Sequence, residues 1–184
     1  MVVSRRGTRV PPPPPTDGIQ RVDNLKILGV YLQSNLKMGT HISEVLCSCT
    51  SSLYALRVLR SHGLPPAALH EVARASTLAR LLYAAPAWWG YASAGERDRL
   101  EGFIRKTIRF GYLPTSAPSA DEMCARADEN LFSAVKSDPG HVLHALLPPI
   151  RTHEHSLRPR PHNFVLPDKN DKNFITRMLY KDIF

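Results

Sequence analysis

The chain has 184 residues, of which 43% are hydrophobic, and it carries a formal charge of +8 with a pI near 9.7. That length and apolar share suffice for one ordinary core, and the positive excess favours polyanionic partners. Three cysteines, Cys47, Cys49 and Cys124, with no CxxC pair, argue against a disulfide framework or a cysteine-rich zinc site.

No run reaches the roughly 18 apolar residues of a membrane span, because LARLLYAAPAWWGYA is cut by Arg80 and Pro86. Arg5, Arg6 and Arg9 are followed by Pro11–Pro15, where a signal peptide would carry its apolar segment. The expectation is an intracellular protein, nuclear or cytoplasmic, not secreted and without a membrane partner. The charge is uneven: +3 over residues 1–34, +5 over 35–112, −3 over 113–150 and +3 over 151–184. Positive charge therefore gathers in the arm, the central helices and the tail, a distribution that suits nucleic acid.

Residues 1–18 read as a disordered, proline-rich arm, extended by Pro11–Pro15 and with little to bury. A proline tract can dock in SH3-like or WW-like grooves, but a stiff linker is the plainer reading. From Ile19 to about residue 33 apolar residues alternate through Val22, Leu25, Ile27, Leu28, Val30 and Leu32. This predicts two short strands hinged near Asp23–Asn24, with Gly29 inside the second as a bulge or a place of close approach.

Thr40 opens a long helix whose stripe runs through Ile42, Val45, Leu46, Cys49, Leu53, Leu56 and Leu59, with Gly63 as its stop. Pro65 or Pro66 starts a second, Ala-rich helix that carries Leu69, Val72, Ala73, Ser76, Ala79 and Leu82 as far as Pro86. Ser93 and Glu96 form a capping box before a third, with Leu100, Phe103, Ile104 and Ile108. The device recurs at Ser119 and Glu122 before a fourth, with Met123, Leu131, Phe132 and Val135; Asp138–Pro139 predicts a short fifth one through Leu147. A Pro- and His-rich stretch, 148–172, precedes a last helical segment, NFITRMLYKDIF. The predicted fold is mainly α: four or five helices, a two-stranded β element near the N-terminus and a disordered arm. Predicted core members are Leu46, Leu53, Leu56, Leu69, Leu82, Phe103 and Ile104.

The chain contains no adjacent Asp-Asp, no Gly-rich phosphate loop, no HExxH and no GxSxG. His41, Cys47, Cys49 and His62 share one predicted helix, whose geometry does not gather them around a tetrahedral ion. His153, Glu154, His155 and His162 lie in the tail, where a built site is not expected. No metal and no cofactor are predicted. The basic residues are more informative. Arg105 and Arg109 stand one turn apart with Lys106 beside them, and Arg57 and Arg60 do likewise, so each set can meet phosphates at spaced intervals. Cations at helix C-termini are also favoured by the helix dipole alone. Tyr83, Trp88, Trp89 and Tyr91 can stack on bases, but packing at a helix end is the simpler use.

Four stretches, VDNLKILGVYLQSNLKMGTHI, SSLYALRVLRSHGL, LLYAAPAWWG and NFITRMLYKDIF, resemble the C-terminal part of a non-LTR (LINE-type, jockey-like) retrotransposon reverse transcriptase, an RNA-directed DNA polymerase, from about Ile19 to Phe184. The resemblance implies three parts: the arm 1–18, a primer-grip and thumb-like domain over 19–112, and a helical extension with a basic tail over 113–184. By it Leu28 and Gly29 map to the grip, and Arg57, Arg60, Arg105, Lys106 and Arg109 face an RNA or DNA backbone. The implied partners are that nucleic acid, bound without sequence preference, and the fingers and palm of a parent polymerase. Met38 stands where the family writes Trp, and the prolines fall where palm strands belong. The paired aspartates that hold two metal ions for nucleotidyl transfer are not in this sequence, so the chain alone is expected to be non-catalytic.

The helical segment also resembles a domain named after the N-terminal region of AlkB homologue eight, a label that implies a dioxygenase or methyltransferase. An iron dioxygenase needs a His-x-Asp pair, and none occurs. A further alternative is an inert, structural helical relic.

Overall fold

The computed structural model describes residue 14 and residues 17–151 and 162–181. It is mainly helical, with one two-stranded antiparallel sheet. Most of the arm, and His153, Glu154 and His155, lie outside the described residues. Among the described residues the chain divides into two compact units: one ends at Ala84 and resumes over Tyr91–Ala120, and the other joins Ala85–Gly90 to the chain from Asp121 onward. The Trp88–Trp89 pair thus belongs with the later chain.

In the first unit, strands β1 (Asn24–Ile27) and β2 (Val30–Gln33) pair in the register Leu25–Leu32 and Ile27–Val30. The hinge is Leu28–Gly29, not Asp23–Asn24, and Asn24 lies inside β1. The physical reason is backbone handedness. A type I′ two-residue loop, one of the two kinds that match strand twist, needs positive φ at both positions, and Leu28 and Gly29 adopt φ 46° and 88°. The Tyr83 hydroxyl donates to the Leu28 carbonyl at 3.0 Å, and a Cβ on Gly29 would lie 3.2 Å from Tyr83 Cε1. The group that approaches Gly29 is the Tyr83 side chain, and Gly29 lies in the turn, not inside the second strand.

Helix α1 (Gly39–Ser61) forms the centre of this unit, burying His41, Ile42, Cys49, Leu53 and Leu56. By length and composition it is apolar enough to cross a membrane, which the interrupted LARLLYAAPAWWGYA run alone would have missed. It ends as its glycine predicts: Gly63, at φ 85°, donates to the Arg60 carbonyl while Leu64 donates to Leu59, a Schellman stop. Met38 is fully buried just before α1.

The chain then returns antiparallel through α2 (Pro66–Ala73), a π-helical turn at Arg74–Leu78 and α3 (Ala79–Leu81). Two contacts fix that return: Cys49 Sγ lies 3.5 Å from the Thr77 carbonyl, and Arg80 Nη1 donates to Ser48 Oγ (2.9 Å) and Ser52 Oγ (3.0 Å). Burial pushes the Cys49 thiol up to about 11, against the opposing effect of Arg80, so this cysteine is an inert core group. Leu53, Leu56, Leu69, Phe103 and Ile104 are buried as expected. Leu46 and Leu82 are only half-buried, and Leu81 takes the inward place of Leu82. A π-turn adds a residue to the helical cycle, so a stripe extrapolated from α2 at 3.6 residues per turn is out of phase beyond it.

Helix α5 (Ala94–Arg109) follows the short α4 (Ala85–Trp88), and its capping residues act as read: the Glu96 carboxylate accepts from the Ser93 backbone N–H at 2.7 Å and hydroxyl at 2.8 Å.

The second unit holds α6 (Ala120–Ser137), α7 (Phe174–Tyr180) and a core of Phe132, Met178 and Leu179 with Leu147, Phe164, Leu166, Phe174 and Ile175 packed against it. The predicted fifth helix at 138–147 is instead a turn and a 3-10 segment, His144–Leu146. Side chains compete successfully for its backbone: Asp138 Oδ1 accepts from Gly140 N–H (2.8 Å) and His141 Nδ1 from Leu143 N–H (3.1 Å). Trp88 and Trp89 are buried and meet edge to face at 5.8 Å, so neither is placed to stack on a base.

Candidate nucleic-acid interface

The residues singled out for backbone binding fall at two places in the first unit. The N-terminal ends of α1 and α5 meet where Arg99 Nη2 donates to Ser43 Oγ at 3.1 Å. Their C-terminal ends meet where Arg60 Nη1 donates to the Phe110 carbonyl at 2.7 Å. The two helices therefore run parallel, and Arg57 and Arg60 come to the same end as Arg105, Lys106 and Arg109. Sequence spacing gave two separate stripes; the packing joins them.

Leu28 and Gly29 are elsewhere. β2 sits by the first turn of α1, where Tyr31 N–H points at His41 Nδ1 across a long 3.5 Å. From His41 to Arg60 is about 28 Å along a helix axis. The turn is exposed, with Leu28 86% accessible, but the structure does not bring it to the cations.

At the cationic end each charge has its own setting. Arg60 is engaged: besides the Phe110 carbonyl it lies 4.8 Å over the Tyr112 ring. Phe110 is the C-cap of α5, so Arg60 satisfies a carbonyl that the helix leaves open. Arg60 thus lies in the last turn of its own helix and at the carbonyl end of the neighbouring one, where the helix dipole favours a cation. Lys106 and Arg109 lie 5.7 and 5.6 Å from the Phe110 ring centre. Arg57 and Arg105 are exposed. Segments 54–64 and 102–113 contain these five cations and no carboxylate.

Sequence reading did not single out the aromatic residues that follow α5. Gly111, at φ 73°, donates to the Ile108 carbonyl while Tyr112 donates to Thr107, a second Schellman stop. It turns Tyr112 and Leu113 into the core and leaves Phe110 outside. The RFGY sequence was the available signal, a glycine just beyond a basic last turn.

His41, Cys47, Cys49 and His62 do not converge, since His41 and Cys49 are buried, Cys47 and His62 are exposed, and they run from the first turn of α1 to its C-cap. Among the described residues no three His, Cys, Asp or Glu side chains gather for a metal ion. No family model, no curated protein and no solved structure matches this chain.

Proposed function

We propose that the chain binds the phosphate backbone of nucleic acid without sequence preference, as a non-catalytic portion of a reverse transcriptase of the non-LTR kind. The observation that carries this reading is the gathering of Arg57, Arg105, Lys106 and Arg109 at one end of the parallel α1 and α5 pair, with Arg60 bonding the Phe110 carbonyl between the two helices. Cations so arranged contact phosphates of successive nucleotides and release condensed counterions on binding.

The four motif stretches supply the family assignment, and the sequence lacks the aspartate pair that would hold catalytic ions. The expected activity is therefore retention of a template and primer, not extension.

Binding of an RNA–DNA duplex, followed by fluorescence anisotropy over a salt series, tests the reading. Affinity should fall steeply as salt rises. Changing Arg105 and Arg109 together to Ala should lower the slope of log affinity against log salt by about 1 to 2, since each phosphate contact contributes roughly 0.7 to 0.9. Salt-independent binding, or an unchanged slope, would reject the assignment.

A further inference from the structure

The geometry points to Phe110 as a stacking platform for an unpaired base, which makes single-stranded RNA or DNA a ligand of this end of the molecule. The inference rests on the nucleic-acid reading above and adds to it, because counterion release alone gives no reason for an aromatic ring at the centre of the cations.

Phe110 is a large apolar side chain left 39% accessible, although the next aromatic, Tyr112, is turned into the core. Its position is fixed on both sides. The Schellman stop sets the backbone through Gly111, and Arg60 grips the carbonyl of Phe110 itself at 2.7 Å. Tyr112 braces the ring edge to face, with centres 6.2 Å apart. A ring so held has little conformational entropy left to lose on binding.

The surrounding charges fit a nucleotide strand in particular. Lys106 and Arg109 stand 5.7 and 5.6 Å from the ring centre, near the outer limit of about 6 Å for a cation–π contact. At that range both long side chains can move outward to phosphates on either side of a base that occupies the ring. An aromatic face between flexible cations is the arrangement by which single strands are held without sequence preference. In a duplex the bases already stack on one another, so the ring has no base to receive except at an end.

The test compares a fluorescein-labelled oligo-dT and oligo-rU, each about a dozen nucleotides long, with a long blunt RNA–DNA duplex, using the full chain. Phe110→Ala should weaken both single strands by about 5- to 150-fold, the range expected for one stacked base, and leave duplex affinity and salt slopes unchanged. Phe110→Leu keeps the apolar bulk and should show the same loss, whereas Phe110→Trp should retain affinity. Single-strand affinity indifferent to Phe110→Leu in a protein that melts like the parent would overturn the platform, as would an equal loss on the duplex. Should the duplex bind with a steep salt dependence while Phe110 proves irrelevant, the platform falls and the backbone reading stands. If neither ligand binds in a salt-dependent way, both fall.

Discussion

Leu28 holds φ 46° without being a glycine, and left-handed backbone costs an L-residue about 1–2 kcal/mol. The Tyr83 hydroxyl on its carbonyl helps to keep it there. Leu28→Asn should raise stability by about 1 kcal/mol in urea titration, because Asn tolerates this region and the carbonyl bond is untouched. Gly29→Ala should do the reverse by a similar or larger amount, adding φ strain and a Cβ at 3.2 Å from Tyr83. His41 gives a pH signature. Burial holds its imidazole below the ordinary 6.5, so the unfolded chain takes up a proton at higher pH than the folded one. Stability should accordingly be intact above 6.5 and decline as pH falls from 6.5 through the folded value. The urea midpoint followed from about pH 7.5 to 5 checks this, and His41→Gln should flatten the profile. At this scale Gly63 and Glu96 were legible, since their roles are set by neighbours a few residues away. The positive φ of Leu28 was not, because a leucine carries no signal for it.

Among the elements α1 sets the core, and Leu53→Ala should cost about 2–5 kcal/mol, with Leu46→Ala costing clearly less because Leu46 is only half-buried. In the second unit, Arg177 of α7 meets Asp128 of α6 through Nε at 3.1 Å and Nη2 at 2.8 Å, and the aspartate is nearly inaccessible. Asp128→Ala leaves the guanidinium without its partner and should cost about 3–5 kcal/mol. Gly90 belongs to the same arrangement, since a Cβ there would lie 2.2 Å from Arg177 Nη1 and 2.5 Å from the Lys172 carbonyl. Helix existence and order were legible from the apolar period and the caps. The π-turn at Arg74–Leu78 was not, and it explains why the expected inward Leu82 gave way to Leu81. The helix expected over 138–147 failed for a local reason, the capture of its backbone by Asp138 and His141.

At the level of the whole molecule, the two units interleave along the chain, with Ala85–Gly90 leaving the first for the second. No composition shift marks that crossing, so the division could not be read from residues. The convergence of the cations was equally hidden, because residues 57–60 and 105–109 lie far apart in sequence and only the parallel packing of α1 and α5 unites them. What the sequence did carry was the identity of the cations and the two runs, 54–64 and 102–113, that hold them without a carboxylate. The central claim is that this end of the pair receives the nucleic-acid backbone, and amide chemical shifts measured while an RNA–DNA duplex is added locate the contact directly. The account predicts changes concentrated in residues 54–64 and 102–113, reversed by added salt, with the Leu28–Gly29 turn changing far less. Changes confined to that turn, or spread evenly over every basic residue of the chain, would contradict it.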